Sequence, residues 1–206
     1  MTRVKICGIT RLEDAQAAVD LGAWALGFNF WPKSPRYISP ENAAEIIKKL
    51  PATVQQVAVV VDANIEELLH IGTQTGIGTF QLHGKESAEF CKQVPGKVIK
   101  ALHLDSESSV AQVSAFRGVA DWILVDSKTS ELPGGTGTLS NWELAKKACE
   151  AHPFMILAGG LKPENIREAI AQVKPQAVDV CSGVESSRGI KDLAKLRQFF
   201  TQVKEL

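Results

Sequence analysis

The sequence lacks an excess of charge of either sign, because 23 Lys and Arg balance 23 Asp and Glu at a formal net charge of +0. We therefore expect no basic stripe for nucleic acid and no polybasic segment for a membrane surface. No apolar run approaches the roughly 20 residues that a membrane-spanning helix needs. A small anionic ligand stays compatible with this balance, since a local binding site does not depend on the overall charge.

Cysteine is scarce, and its spacing is unlike that of disulfide or zinc frameworks. The four cysteines, Cys7, Cys91, Cys149 and Cys181, form no C-x-x-C pair. This pattern favours reduced thiols in a cytoplasmic enzyme, and the histidines show no ligand spacing that would predict a metal site. The chain also enters a predicted strand at Val4 without the hydrophobic region of a signal peptide, which again favours the cytoplasm.

What the sequence has instead is a regular alternation of short apolar strands and amphipathic helices, with no linker or low-complexity segment. The predicted strands cover 4–7, 25–30, 56–61, 79–82, 97–102, 122–125, 155–158 and 177–181. Eight such units predict one domain, 1–206, of the α/β class, folded as an eight-stranded parallel (β/α)8 TIM barrel. A doubly wound open sheet is the alternative, and the missing G-x-G-x-x-G after the first strand speaks against it.

Residues that can cap a helix mark several predicted helix starts. Three pairs fit the capping box, in which two side chains satisfy free amides reciprocally: Thr10 with Glu13, Asn64 with Glu67, and Ser140 with Glu143. Ser39-Pro40 provides an N-cap followed by proline at the first helical position, and Pro163 opens another helix. A further short helix is expected after Gly183.

Three polar residues, Lys5, Gln81 and Asp179, interrupt otherwise apolar strands. Because side chains alternate along a strand, each shares a face with a second notable residue: Lys5 with Cys7, Gln81 with His83, and Asp179 with Cys181. An unpaired charge facing the helices would cost several kcal/mol, so these side chains are placed inside the barrel. The first and eighth strands become neighbours on closure, which predicts that Lys5 and Asp179 lie within roughly 8 Å, about one Debye length. A structural ion pair and a direct catalytic role both fit this pair.

Cys7 and Asp126 both end a predicted strand, where α/β folds place their chemistry. A thiol with a pKa of about 8.5 must be shifted down to act as a base near neutrality. A desolvated carboxyl can be shifted up to act as an acid. A thiol base and a carboxyl acid on opposite sides of one substrate would transfer protons to and from it without a cofactor. Taken separately, Cys7 is typical of a small buried apolar residue, and Asp126 of a surface or capping aspartate.

Two glycine-bearing turns follow the seventh and eighth strands, LAGGL at 157–161 and CSGVE at 181–185. Glycine lets backbone amides approach an anion closely, and a helix that starts nearby points its positive end at the same place. Loops in these two positions of a barrel often bind phosphate, so we predict a phosphate site here. Each turn alone also fits an ordinary tight turn.

Arg36 follows a stiff, proline-rich loop at 31–37, beyond the second strand. Its planar guanidinium is suited to hold a substrate carboxylate with two parallel hydrogen bonds. A solvated loop arginine is the alternative interpretation of this residue.

Eight short motifs are spread along the whole chain in a fixed order. They are VKICGIT at 4–10, GFNF at 27–30, SPRY at 34–37, QLHG at 81–84, VD at 125–126, GGTG at 134–137, AGGL at 158–161 and DVCSGVE at 179–185. In these motifs the chain resembles the phosphoribosylanthranilate isomerase family of tryptophan biosynthesis. It departs from the family at Cys181, which replaces a more usual small residue. The loop 127–133 has its own sequence, so its contacts stay open.

The resemblance implies an Amadori rearrangement of N-(5-phosphoribosyl)anthranilate to the 1-deoxyribulose 5-phosphate isomer. It implies that Asp126 is the general acid, Cys7 the general base and Arg36 the ligand of the anthranilate carboxylate. The phosphate would be held by the backbone around Gly159, Gly160, Ser182 and Gly183. The expected partner is this small phosphorylated molecule, with no cofactor and no metal, in a monomer or a homodimer.

Supporting roles are expected for four further residues: Lys5, His83, Gly135 and Asp179. The glycines of 134–137 would let that loop close as a lid. Two other functions stay open at this point. One is another sugar-phosphate isomerase or epimerase that uses His83, His103 and Asp126 around a metal. The other is a barrel that binds a phosphorylated ligand without turnover.

Overall fold

The structure, a computed structural model, describes residues 2–126 and 139–205, without the side chains of 139–141. Eight parallel strands form a closed barrel in chain order, and the first pairs with the eighth. The strands are β1 (Arg3–Cys7), β2 (Ala25–Asn29), β3 (Gln55–Val60), β4 (Thr79–Leu82), β5 (Lys97–His103), β6 (Trp122–Asp126), β7 (Met155–Ala158) and β8 (Ala177–Val180). Closure confirms the predicted (β/α)8 TIM barrel and excludes the open sheet.

A helix follows each strand of the barrel. These are α1 (Leu12–Asp20), α2 (Pro40–Ile47), α3 (Ile65–Thr75), α4 (Ala88–Cys91), α5 (Glu107–Val113), α6 (Leu139–Ala151), α7 (Ile166–Val173) and α8 (Leu193–Lys204). None of the helices within the described ranges is long and apolar enough to cross a bilayer.

An antiparallel ribbon between β8 and α8 was not predicted. After β8 the chain makes a 3-10 turn at Ser182–Val184, and then forms β9 (Glu185–Ser187) and β10 (Ile190–Lys191). The predicted short helix after Gly183 is therefore wrong, because the chain goes from a single turn into a strand. Strands of three and two residues are too short for alternation to reveal them.

Apolar residues fill two regions of the molecule. The larger core lies between the barrel and its helices and includes Phe28, Phe80 and Phe199, each at most 1% exposed. The smaller cluster inside the barrel is made of Ala25, Val57, Ile99, Ala101, Leu124, Ile156, Ala158 and Ala177. These side chains fill the interior of the barrel, as in other barrels of this type. Because the interior is filled, residues that act on a substrate are expected at the ends of the strands.

The predicted helix starts are confirmed in two cases. Asn64 and Glu67 form a complete capping box at α3, and the Ser39 hydroxyl accepts a hydrogen bond from the amide of Asn42 at the start of α2. The capping box predicted for Thr10 is wrong, since its hydroxyl donates to the Gly189 carbonyl at 2.6 Å instead. A long-range partner has replaced the local one and ties the β1–α1 loop to the ribbon.

Two other helix starts were placed wrongly. α6 begins at Leu139, so Ser140 lies inside the helix rather than before it. α7 begins at Ile166, three residues after Pro163, because residues 163–165 form a turn. Within that turn the side-chain oxygen of Asn165 accepts a hydrogen bond from the amide of Lys162 at 2.8 Å.

Candidate active site

A cavity of about 250 Å³ lies at the carboxyl ends of the strands. Eight of the predicted site residues line it: Cys7, Arg36, His83, Asp126, Gly159, Gly160, Asp179 and Ser182. Lys5 and Gly183 lie next to it, and Gly135 with the rest of 134–137 lies outside the described residues. Residues from at least six strand–loop units therefore converge on one place.

Cys7 and Asp126 occupy the last positions of β1 and β6 and both line the cavity. In the hydrogen-bonded ladders Cys7 is level with Gly27 on β2, and Asp126 with Ala158 on β7. A side-chain carbon at Gly27 would lie 2.8 Å from the Cys7 sulfur, so only glycine leaves room for the thiol there. The thiol and the carboxyl approach the same space from different sides of the barrel mouth.

The pKa of the Cys7 thiol lies below its ordinary value. The largest cause is a hydrogen bond between its sulfur and the side chain of Cys181, which outweighs the opposing effect of burial. The ammonium groups of Lys5 and Lys191 lower this pKa further, and the carboxylate of Asp179 raises it. Cys7 is thus ionised more readily than an ordinary cysteine, as a thiol base requires.

The ion pair predicted between Lys5 and Asp179 is confirmed. The Lys5 ammonium donates to the Asp179 carboxylate at 2.9 Å, inside the barrel, where the Lys5 side chain is fully buried. Burial alone would lower the pKa of Lys5, but the charges of Asp179 and Cys7 raise it above its ordinary value. The lysine is therefore a permanent positive charge directly below the Cys7 thiol.

The Arg36 side chain is partly buried, with 20% of its surface exposed. Its guanidinium donates two hydrogen bonds to the Glu185 carboxylate, from Nε at 2.7 Å and from Nη2 at 2.6 Å. The same carboxylate accepts a hydrogen bond from the Lys191 ammonium at 3.1 Å. Parallel bonds of this type fix the plane of an arginine, so Glu185 orients Arg36 along the wall of the cavity.

Sequence reasoning did not single out Glu185 and Lys191 as site residues. The Lys191 side chain is fully buried, and its ammonium donates to the carbonyl oxygens of Cys7 at 2.6 Å and Cys181 at 3.3 Å. Glu185 was visible only as the last letter of the DVCSGVE motif. Lys191 had no signal, since a lysine in a polar stretch is usually solvated.

Glu185 predicts a pH dependence of stability. Burial alone would raise its pKa, but Arg36 and Lys191 outweigh burial and lower it to about 2. An unfolded glutamate titrates near pH 4.3, at about its reference value, so the stabilisation is lost as the pH falls from there toward the folded pKa. We expect Glu185→Gln to have a lower urea midpoint than the wild type at pH 7, and the difference to shrink across this window. The exposed Glu66→Gln serves as control, and a pH-independent difference for Glu185→Gln would contradict the assignment.

His83 is oriented by Gln81, its neighbour on the same face. The Gln81 amide nitrogen lies 2.9 Å from Nδ1 of His83, an arrangement that places the ring proton on Nε2. Protein atoms surround most of the ring although water reaches it from the cavity, and this desolvation lowers the pKa of His83. Among the described side chains, Oε1 of Gln81 is a buried oxygen without a hydrogen-bond partner.

The two glycine turns lie where the sequence placed them. Gly159 and Gly160 have φ angles of 87° and 66°, a conformation that glycine adopts without strain. Gly183 has a different reason to be glycine, because a side-chain carbon there would overlap the carbonyl oxygen of Leu161. The turns after β7 and β8 therefore pack directly on each other, and the exposed Ser182 and Gly160 face the cavity.

A larger cavity of about 570 Å³ lies outside the barrel mouth, between the β2–α2 loop and α3. Aromatic and acidic side chains line it, among them Phe30, Trp31 and Glu66, and none of the predicted site residues contributes to its described lining. The smaller cavity is the candidate active site, because in the described lining of these two cavities only the smaller one holds side chains of shifted pKa, among them Cys7 and His83.

The metal-dependent alternative would require His83, His103 and Asp126 to form one ligand cluster. Across residues 2–126 and 139–205 there is no group of three His, Cys, Asp or Glu side chains arranged to hold a metal ion. His83 instead contacts Gln81.

A closed parallel barrel is typical of (β/α)8-barrel enzymes when a thiol of lowered pKa and a carboxyl share one cavity at the carboxyl ends of its strands. Within that class, the chain belongs to the N-(5'-phosphoribosyl)anthranilate (PRA) isomerase family, whose model matches residues 4–202. The family resemblance of the sequence motifs is thereby confirmed.

Relatives and solved structures agree with this assignment. The N-(5'-phosphoribosyl)anthranilate isomerase of Geotalea uraniireducens is 47% identical over 206 residues, with 100% of both chains covered. A phosphoribosyl anthranilate isomerase solved in complex with reduced 1-(o-carboxyphenylamino)-1-deoxyribulose 5-phosphate has a TM-score of 0.89 and 40% identity, again with 100% of both chains covered. Monomers generated from the dimeric enzyme of Thermotoga maritima superpose with a TM-score of 0.88 at 39% identity and the same full coverage.

Proposed function

We propose that this chain is a phosphoribosylanthranilate isomerase of tryptophan biosynthesis, with residues 1–206 as one catalytic domain. It would convert N-(5-phosphoribosyl)anthranilate to 1-(2-carboxyphenylamino)-1-deoxyribulose 5-phosphate in the cytoplasm. The observation that carries the proposal is the shared cavity of Cys7, Asp126 and the two glycine turns, in a chain of this family. A relative binds the reduced form of this product, which fits the same chemistry.

The proposed reaction needs one acid and one base. Asp126 protonates the ring oxygen of the furanose, and the sugar opens to a Schiff base as the bond between C1 and that oxygen breaks. The Cys7 thiolate then removes the proton from C2. The electrons of that C–H bond form the double bond between C1 and C2, and the π electrons of the C=N bond move to the iminium nitrogen and neutralise it. The resulting enolamine tautomerises to the ketose. Atoms and electrons balance within the substrate, so we propose that no cofactor takes part.

Both unreactive ends of the substrate would be anchored. We place the phosphate at the backbone of the turns after β7 and β8, around the following residues: Gly159, Gly160, Ser182 and Gly183. Arg36 would hold the anthranilate carboxylate with Nη1, since Glu185 already occupies Nε and one Nη2 hydrogen. Binding energy from these ends positions C1 and C2 between acid and base.

The supporting residues have distinct proposed roles. Lys5 and Asp179 would stabilise the charge of Cys7 from below, and His83 would donate from Nε2 to a sugar hydroxyl. Gly135 and the lid at 134–137 stay predictions, since they lie outside the described residues. The assembly, a monomer or a homodimer, also stays a prediction, and a related enzyme is dimeric.

The test is the conversion of N-(5-phosphoribosyl)anthranilate by the purified protein, followed by chromatography of substrate and product. We expect turnover that is unchanged after treatment with a chelator. Turnover that disappears with the chelator would favour the metal-dependent sugar-phosphate isomerase. Tight binding of the reduced product without any conversion would favour the non-catalytic barrel and overturn the proposal.

A further inference from the structure

A second buried ion pair lies between the barrel and its helices. Ile99 and Ala101 point into the barrel, so Lys100, which lies between them on β5, points toward the helices. Its ammonium donates to the Glu86 carboxylate at 2.7 Å, and the two side chains are 2% and 3% exposed. Neither residue belongs to the described lining of the candidate active-site cavity, so the proposed reaction gives them no role.

This ion pair holds the backbone on both sides of His83. The Lys100 ammonium also donates to the carbonyl oxygens of Leu82 at 3.2 Å and Gly84 at 2.8 Å, so its three hydrogens have three acceptors. The Gly84 amide in turn donates to the two oxygens of Glu86, at 3.1 and 3.0 Å. His83 lies between Leu82 and Gly84 and lines the cavity, so the pair fixes the main chain from which its ring projects.

The Glu86 carboxylate also joins this turn to the β3–α3 loop. It accepts a hydrogen bond from the amide of Asp62 at 2.9 Å, and the Asp62 carboxylate accepts one from the amide of Lys85 at 2.7 Å. A side-chain carbon at Gly84 would overlap the same Asp62 carboxylate, so only glycine allows the two loops to pack this closely. The turn that carries His83 is therefore bound to both β5 and the β3–α3 loop.

A buried ion pair is by itself weak evidence for stability, because an apolar pair of similar volume is often as stable. Here both charges bind backbone groups beside a residue of the cavity. Gln81 orients the imidazole ring through Nδ1, whereas Lys100 and Glu86 act on the backbone that carries the ring. We propose that Lys100 and Glu86 are positioning residues: they hold the main chain on both sides of His83 and so place its ring where it binds the substrate. This inference rests on the proposed function for the identity of that substrate.

The test combines a double variant that lacks both charges with a variant of His83. Lys100→Met/Glu86→Gln leaves no buried charge unpaired, and the glutamine oxygen still accepts from the Gly84 amide, so the barrel should fold. We expect it to lower kcat/KM about tenfold, because a displacement of about 1 Å in a positioned group can cost as much as about 100-fold. In a His83→Ala background the same double change should lower kcat/KM less than about twofold, since the group through which it acts is absent. Equal losses in both backgrounds would indicate general damage and overturn the inference.

The placement of the His83 ring is also measured without turnover. The chain has four histidines, and His83→Ala identifies which of their ring signals in an NMR spectrum belongs to His83. We expect the double variant to shift that signal and to leave the signal of His152, whose ring contacts the Phe154 carbonyl. An unshifted His83 signal would overturn the inference. So would hydrogen exchange of the Gly84 amide at the rate of an unprotected amide in the wild type, a measurement that needs no variant.

Lys92→Met/Glu89→Gln is the matched control. It makes the same two changes in an exposed ion pair of the same strand–loop–helix unit. It should retain the wild-type kcat/KM and the wild-type His83 signal, and a control that shifts this signal as far as the buried double variant would contradict the inference. Failure of the proposed function is distinct, because the wild type then converts no substrate while the His83 signal still moves in Lys100→Met/Glu86→Gln.

Discussion

Cys7→Ala is expected to lower kcat by about 10²–10⁴-fold, the usual contribution of a positioned acid or base. The variant keeps the anchors for the phosphate and the carboxylate, so the affinity for the reduced product should change little. Cys7→Ser should show a similar loss, because a hydroxyl is not ionised near neutrality as the activated thiol is. Steady-state kinetics and calorimetric titration with the reduced product measure the two quantities.

Asp126→Asn is expected to give a loss of the same order, because the amide cannot protonate the ring oxygen. In the wild type the rate should fall as the pH drops and Cys7 becomes protonated. The midpoint of this fall should lie below about pH 8.5, the midpoint of an ordinary cysteine, since the pKa of Cys7 is lowered.

Two variants outside the cavity control for general damage to the protein. Cys149→Ala removes a thiol that contacts Met155 and Val173, and Asp20→Asn neutralises an exposed carboxylate at the end of α1. Both should turn over at the wild-type rate. If Cys7→Ala kept more than a tenth of the wild-type kcat, the thiol would not be the base, and the proposed mechanism would be wrong.

Lys5→Met is expected to destabilise the fold by about 3–5 kcal/mol, because removing one partner of a buried ion pair leaves the other charge unpaired. Asp179 is 9% exposed and its partner ammonium is fully buried, so water from the cavity reaches only a small part of the carboxylate and replaces the lysine incompletely. Urea denaturation at pH 7 measures the change. The double variant Lys5→Met/Asp179→Leu should recover most of the loss, because an apolar pair of similar volume leaves no charge in the interior.

The surface pair of Lys48 and Glu45 provides the comparison. These side chains are 68% and 66% exposed, and such pairs contribute about 0–1 kcal/mol, so Lys48→Met should cost little. Equal losses in Lys48→Met and Lys5→Met would contradict the assignment of a buried pair.

The double variant Lys5→Met/Asp179→Leu also separates the two roles that the sequence left open for Lys5 and Asp179. Recovered stability with lost turnover indicates catalysis, and recovery of both indicates a structural ion pair.

The architecture could be predicted because it depends on local patterns. Buried parallel strands appear as short apolar runs, and β4 and β7 have the predicted bounds. Alternation along β1 and β8, together with closure in chain order, was enough to place Lys5 beside Asp179. A side chain's direction within a strand is set by the backbone alone, so no knowledge of the packing was needed.

The helix starts show where local patterns fail. Asn64 and Glu67 cap α3 as predicted, and at that exposed end each side chain bonds the other's backbone amide. Thr10 fits the same pattern, but its hydroxyl binds a carbonyl 179 residues away. A capping pattern states what a side chain can do, and the partners that the fold supplies decide what it does.

By itself, the sequence determined the barrel, the strand ends that carry Cys7 and Asp126, and the two glycine turns. Only the tertiary structure decided which groups set the charge of the thiol. Lys191 reaches the Cys7 carbonyl across 184 residues, and Glu185 binds Arg36 across 149. Pattern reading extends over a few residues, whereas closure of β1 on β8 joins the two ends of the chain, and electrostatic interactions depend on distance in space.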